Sequence, residues 1–456
     1  LGVVYGEYEV MMRQLRQSHG VLHPTQVLAL GFIGVIVLGT FLLMLPGATV
    51  NNRGLPWLDA LFTATSAVCV TGLVVVDTGT ALTRFGQVII LLLVQIGGLG
   101  FMALAAMIAV LLGKRITIND RVILKESLNQ LSLQGIVRVV RYIVVFTCGF
   151  ELVGAVVLAW AFWQRMPLGD AIYHGVFHAV SAFNNAGFDL FTTSLMPYNT
   201  NPVVMICVML LLTLGGMGVL VWVNAMNHGW QVAAWSLHTK IVIVTTSALL
   251  IVGSTLVFVF EYRASAFADF SLGEKMLNSV FQSATSRTAG FFSVSMTSLT
   301  TATIVVMMIL MFIGASPGST GGGIKTTTFA LAILTVYNVL RGRSEIHVWQ
   351  RTVTAPLLLK SFAVVFVAIS WVMVATLILT VTESAPFLWL VFEVVSAFAT
   401  VGLTLGVTPE LTDIGKFVII ATMYIGRVGP LTLFAALMLH TKIPPYRHAE
   451  ESVLVG

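Results

Sequence analysis

Apolar residues crowd into eight segments of the chain, near 26–45, 86–112, 142–162, 202–224, 241–260, 303–336, 361–381 and 416–439. Each holds about 20 residues or more, the length of helix that crosses a bilayer core. Four shorter stretches fall between them, at about 56–71, 170–186, 274–289 and 387–401. They are too short or too polar to cross, and each reads as a re-entrant half-membrane helix that enters and turns back. The predicted order is span, short helix, glycine turn, span, four times over.

The short stretches end alike. Ser-Ala-Val-Cys-Val-Thr-Gly covers 66–72, Ser-Ala-Phe-Asn-Asn-Ala-Gly 181–187, Ala-Thr-Ser-Arg-Thr-Ala-Gly 284–290 and Ser-Ala-Phe-Ala-Thr-Val-Gly 396–402. Their closing glycines, Gly72, Gly187, Gly290 and Gly402, lie 115, 103 and 112 residues apart. That period exceeds a solenoid repeat and fits tandem membrane modules around an axis along the membrane normal. A second signal runs in phase with the first. Roughly 25 residues after each marker a glycine cluster interrupts the next span: 96–100, 214–218, 313–318 and 425–429. The predicted fold is an all-α integral membrane protein with eight spanning segments and four re-entrant helices. Its divisions are a lead-in over 1–25, repeats over 26–112, 113–224, 225–336 and 337–439, and a tail over 440–456.

Composition excludes a soluble reading. The chain is 57% hydrophobic and 9% charged, against about 25% charged residues in a typical soluble domain. So much apolar surface must face lipid. The net charge of +5 then reflects basic cytoplasmic loops and not nucleic-acid binding. Lys114, Arg115, Arg121, Lys125, Arg138, Arg141, Lys240, Arg341, Arg343, Arg351, Lys360, Lys442 and Arg447 fall on one side of the spans. The glycine-turn side carries more acids, including Asp59, Asp77, Asp170, Asp189, Glu393 and Asp413. The positive-inside rule puts both termini in the cytoplasm and the glycine turns outside. Residues 1–25 lack the apolar core and small-residue end of a cleavable signal peptide. Cys69, Cys148 and Cys207 fit no disulfide or metal framework and read as small buried hydrophobes.

Irregular backbone at membrane depth is tolerated only where it lines protein or a watery cavity. Four such turns from four modules can meet on one axis. Glycine accepts positive φ without a Cβ clash, so successive carbonyls can face one way. A ring of carbonyl oxygens can replace the hydration shell of a cation. The C-terminal partial charge of each short helix favours that cation. Asn184 and Asn185 read as braces of the second turn.

These residues resemble the membrane subunit of the Trk/Ktr/HKT superfamily of potassium transporters, of the bacterial Ktr type, over nearly the whole chain. The resemblance implies four M1–pore helix–M2 repeats around one central pore. It implies a selectivity filter built from Val70, Thr71, Gly72, Asn185, Ala186, Gly187, Thr288, Ala289, Gly290, Thr400, Val401 and Gly402. Serine in the first turn goes with sodium preference in plant relatives, so Gly72 points to potassium as the transported ion. Sodium dependence occurs in some relatives and stays open. The third turn departs from the others: Ser283 and Ala284 lie one position further from their glycine, and Arg287 stands three residues before it.

The sixth span carries Gly-Ala-Ser-Pro-Gly-Ser-Thr-Gly-Gly-Gly-Ile-Lys-Thr-Thr-Thr over 314–328. Pro317 and five glycines break a helix there. Ile324 separates Gly323 from Lys325, which excludes a phosphate-binding loop. A flexible intramembrane loop below the filter is the better reading, and the resemblance implies a gate. Its residues are Gly314, Ser316, Pro317, Gly318, Ser319, Thr320, Gly321, Gly322, Gly323 and Lys325, joined by Arg427 in the last repeat. Arg427 either faces the pore axis and repels cations or hydrogen-bonds the loop carbonyls. Lys325 points into the pore or toward the cytoplasmic mouth. Glu151 is a further buried charge whose partner the sequence does not name. His174 and His178 read as polar residues near the outer mouth, not as a metal pair.

The resemblance also implies a homodimer in the bacterial inner membrane, with Pro444, Pro445 and Tyr446 of the tail at the subunit contact. It implies a cytosolic ring of regulatory subunits carrying ATP, ADP or NAD(H), touched by the loops 114–141 and 341–360. No cofactor belongs to this chain beyond the transported ion. A sodium-preferring or sodium-coupled carrier of the same architecture is the alternative. A membrane-embedded enzyme would need paired catalytic groups at depth, and Glu151 stands alone among the acids of the spans.

Overall fold

The computed structural model describes residues 24–100, 136–342 and 346–429. Among the described residues four helices are long and apolar enough to cross a membrane unbroken: α1 (Pro24–Leu43), α4 (Ile136–Trp163), α8 (Leu237–Glu261) and α12 (Ala355–Thr382). Their outer faces expose Phe41, Leu152, Val156, Ile251, Phe366 and Leu377, surface that lipid and not water would cover. A short helix follows each: α2 (Trp57–Val68), α5 (Leu168–Phe183), α9 (Leu272–Thr285) and α13 (Phe387–Ala399). Pro56, Pro167 and Pro386 stand at three of their N-termini, where proline presets φ and lacks only an N–H that has no helical partner. The third begins instead with a capping box between Ser271 and Glu274.

The next helix of each unit starts on a side-chain cap. Thr83, Asn201, Thr300 and Thr412 accept from backbone N–H groups at the heads of α3 (Arg84–Leu99), α6 (Pro202–Met217), α10 (Thr301–Phe312) and α14 (Asp413–Val428). None of these four runs on as a straight spanning helix. The helices α3, α6 and α14 stop at Gly100, Gly218 and Gly429, with φ of 77°, 86° and 91°. Beyond Gly218 the chain bends by 91° into α7 (Val219–His228). The segment read as one span over 202–224 is therefore two helices. Similarly, 313–325 separates α10 from α11 (Thr326–Leu340). Among the described residues a small hairpin, β1 (Ile346–Val348) with β2 (Arg351–Val353), departs from the all-α expectation.

Packing runs around a closed circuit. Each short helix packs on its own unit's long helix, and the following helix packs on the next unit's short helix. Thus α3 meets α5, α6 meets α9, α10 meets α13, and α14 returns to α2. Two ion pairs reinforce the circuit: Arg84–Asp170 at 2.7 Å and Lys416–Asp59 at 2.8 Å. The second glycine register has a steric origin. A Cβ on Gly97, Gly215 or Gly426 would run into the carbonyl oxygen of Val68, Phe183 or Phe398 at the end of the same unit's short helix. Residues 1–23 of the lead-in, the basic positions 114, 115, 121, 125, 343, 442 and 447, and the tail lie outside the described residues.

Candidate functional site

Each short helix ends in a turn with two left-handed residues. Val70, Asn185, Thr288 and Thr400 have φ of 57°, 57°, 72° and 51°, and the glycines two positions on have 90°, 69°, 82° and 94°. Left-handed conformation is uncommon for non-glycine residues, and four instances in register mark a shared constraint. The turns are neighbours in cyclic order. A Cβ built on Gly72 would lie 2.5 Å from Ala186 O and 2.9 Å from the Cα of Gly187. One on Gly187 would meet Ala289 O and the Cα of Gly290, each at 3.0 Å. One on Gly290 would meet Val401 O, and one on Gly402 would meet Thr71 O, closer still. All twelve candidate turn residues except the glycines are fully buried, and the structure brings them together. The carbonyls at 71, 186, 289 and 401 each lie beside the glycine of an adjacent turn. Such a set of oxygens suits a dehydrated monovalent cation.

Hydroxyl groups lock the turns, a role the quoted Ser-Ala pairs carry in plain sight. The N–H groups of Gly72 and Gly402 donate to Ser66 Oγ and Ser396 Oγ at 3.0 and 3.1 Å. Ser181 Oγ donates to Phe188 O at 2.5 Å, and Thr285 Oγ1 donates to Phe291 O at 2.6 Å. The N–H groups of Thr71, Ala186 and Val401 reach back five residues, to Ser66, Ser181 and Ser396, each at 2.8 Å. In the third turn Ala289 reaches back only four, to Thr285. The displaced Ser283–Ala284 pair thus corresponds to a shorter turn in which Thr285 takes the serine's place. Ser283 is released to donate to Leu250 O on α8.

Several polar residues lie elsewhere than the sequence suggests. Asn184 does not line the turn. It caps α5 in right-handed conformation, and its amide donates outward to Glu151 Oε1 at 2.9 Å. Glu151, unassigned by sequence, is thereby joined to Asn184 and Gln95. His178 is fully buried and not at a mouth. Its ring lies 4.7 Å from that of Phe191, and its Nδ1 meets His174 O at 2.7 Å. Among the described residues no group of three His, Cys, Asp or Glu could hold a metal ion. Glu393, also fully buried, accepts from the hydroxyls of Thr404 (2.7 Å) and Thr408. Of the cysteines, Cys69 is buried, Cys207 half-buried and Cys148 exposed, so one of them faces the surroundings of the helix bundle.

The segment 313–325 lies directly against these turns. A Cβ on Gly321 would strike Thr288 Oγ1, and one on Gly322 would strike Thr400 Oγ1. The hydroxyl of Thr320 lies 3.2 Å from Phe183 O and 3.1 Å from Asn185 Oδ1. Ser316 N and Thr320 N donate to Gly216 O and Gly215 O, and Val219 N donates to Gly318 O. The segment is therefore pinned to the bend between α6 and α7. Arg427 crosses beneath it, donating to Thr320 O on one side and to Gly97 O and Gly98 O on the other. Of its two sequence readings the geometry selects carbonyl binding. Lys325 folds over its own loop and donates to Gly321 O at 2.7 Å.

A family model described as TrkH, cation transport protein, matches residues 11–443. The chain is 42% identical to the Ktr system potassium uptake protein B of Bacillus subtilis, over 95% of this chain and 97% of that one. It is 40% identical to the protein of the same name from Vibrio alginolyticus, over 94% of each. It is 37% identical to the potassium/sodium uptake protein NtpJ of Enterococcus hirae, over 98% of this chain and all of that one. Among solved structures, the potassium transporter TrkH of Vibrio parahaemolyticus shares the fold with a TM-score of 0.73. It is 19% identical, and the match covers 93% of this chain and 86% of that one.

Proposed function

The chain belongs to the TrkH family of cation transport proteins, and from that premise we propose that it takes up potassium across a bacterial inner membrane as the pore subunit of a Ktr-type system. The observation that carries this reading is the cyclic order of four glycine turns, each glycine resting against a carbonyl of the next turn. On this reading the helices form four M1–pore helix–M2 repeats around one pore, the last element broken in two in the second and third repeats, with the turns as its filter. Potassium sheds water against the carbonyls of Thr71, Ala186, Ala289 and Val401 and then meets the segment 313–325. A negative-inside potential favours each entering cation by about 2.3 kcal/mol per 100 mV. No bond is made or broken.

The glycine-rich segment is the gate in this account. Closed, it rests under Thr288 and Thr400, held by Arg427 and by the bend at Gly218. Opening requires those backbone bonds to be exchanged, and a cytosolic nucleotide-binding ring acting on the basic face supplies the work. The turns face outward, both termini lie in the cytoplasm, and two copies assemble. A sodium-coupled or sodium-preferring variant of the same pore draws support from the shorter third turn, which breaks fourfold equivalence, and from the relative named for both ions. Uptake of potassium by a bacterium lacking its own uptake systems, expressing this chain with and without the regulatory partner, tests the proposal. Potassium-dependent growth at low external potassium is the expected result. Sodium uptake without potassium uptake would favour the variant.

A further inference from the structure

Behind the second turn lies a polar cluster centred on an acid of the long helix, whereas the buried acid beside the fourth turn, Glu393, lies on the short helix itself. Glu151, 8% exposed in the middle of α4, engages both carboxylate oxygens: Oε1 accepts from Asn184 Nδ2 at 2.9 Å and Oε2 from Gln95 Nε2 at 3.3 Å. Asn184 Nδ2 also lies 2.9 Å from Gln95 Oε1 and from Val180 O. Gly98 on α3 leaves room for the amide, since a Cβ there would strike Asn184 Oδ1. The described residues offer Glu151 no ion-pair partner. A carboxylate at this depth is costly to keep and is held only by neutral amide donors. Asn184 immediately precedes Asn185, the left-handed residue of the turn. The position three before the marker glycine is Cys69, Asn184, Arg287 and Ala399 in the four turns. Only the second and third extend polar side chains outward to a long helix, Asn184 to Glu151 on α4 and Arg287 to Thr246 on α8.

We propose that Glu151 is a positioning residue for ion preference, acting through Asn184 to hold the second turn so that the Ala186 carbonyl keeps its place in the ring. The first and fourth turns need no such tether because Cys69 and Ala399 are fully buried among apolar neighbours. The carboxylate is suited to the task because its two acceptor oxygens hold two amide donors at once. The proposal rests on reading the turns as the filter.

The test is rubidium uptake, with sodium as competitor, by the full chain and its regulatory partner in cells. Glu151→Ala lowers the preference for rubidium over sodium about tenfold, through a raised KM and with an unchanged amount of protein in the membrane. Glu151→Gln keeps the preference within about twofold, because its Oε1 accepts from Asn184 as the carboxylate does and only the longer bond from Gln95, at 3.3 Å, is lost. Asn184→Ala matches Glu151→Ala, and the double variant is no worse than either, since both break one tether. Additive losses in the double variant, a Gln variant as poor as the Ala variant, or an Ala variant with ordinary preference would each overturn the proposal. If Glu151→Ala does not accumulate, Gln95→Leu and Asn184→Ala make the same comparison. Gly187→Ser is the control for the filter itself. Should it leave ion preference unchanged, the filter reading fails; should it alter preference while the Glu151 series does not, only the tether fails.

Discussion

Gly72 is held at φ 90° with the neighbouring turn where its side chain would be. Serine there both strains the backbone and pushes the Ala186 carbonyl out of the ring. We expect Gly72→Ser to reduce the potassium-to-sodium uptake ratio about tenfold, equal to about 1.4 kcal/mol of discrimination. An unaltered ratio would mean that the ring does not set preference. Arg427 makes a different prediction, because its bonds go to Thr320 O and Gly97 O and not to the turns. Arg427→Ala frees the segment 313–325, so maximal uptake rises several-fold while KM for potassium stays put. A fall in maximal rate would contradict a restraining role. At this scale the sequence was legible where backbone was the actor. Positive φ at the four glycines followed from their position after a short helix. The direction of side chains did not. Nothing in Asn184-Asn185 says that one amide points outward and the other stays with the turn, since the difference lies in one residue's helical conformation.

Among elements, the breaks carry more information than the helices. A straight span over 202–224 would leave Gly318 O without Val219 N as its donor. A Cβ on Gly218 would lie 2.6 Å from Pro317 O, at a φ of 86°. Gly218→Ala therefore shifts the segment it is bound to. It should impair gating by the regulatory partner before it impairs folding, which uptake with and without the partner would reveal. The third short helix allows a plainer test. Removing its cap with Ser271→Ala costs about 1 kcal/mol of stability, readable as a lowered melting temperature in detergent. Hydrogen bonds from Ser271 hold the Glu274 carboxyl below its ordinary value. That contribution is complete above the ordinary carboxylate range and fades as pH falls through the lowered folded value. Hydrophobic length and glycine position made the helices and their breaks readable in advance. The 91° bend was not, because a glycine permits a turn without fixing its angle.

For the whole molecule, closure of the circuit depends on α14, near the end of the chain, returning to α2, near its start. Lys416 and Asp59 clamp that junction, with side chains only 16% and 20% exposed. Lys416→Met should lower stability by about 1 kcal/mol, the upper end for a partly exposed pair, with a smaller difference at high salt. Fourfold periodicity in the sequence announced four modules, but their order around a circle comes only from which helix touches which short helix. The central claim is that carbonyls of Thr71, Ala186, Ala289 and Val401 surround one cation. Anomalous diffraction from crystals grown with rubidium in place of potassium measures this directly. The account predicts a rubidium peak at the centre of those four oxygens, lost when sodium replaces it. Rubidium bound elsewhere, with that centre empty, would contradict it.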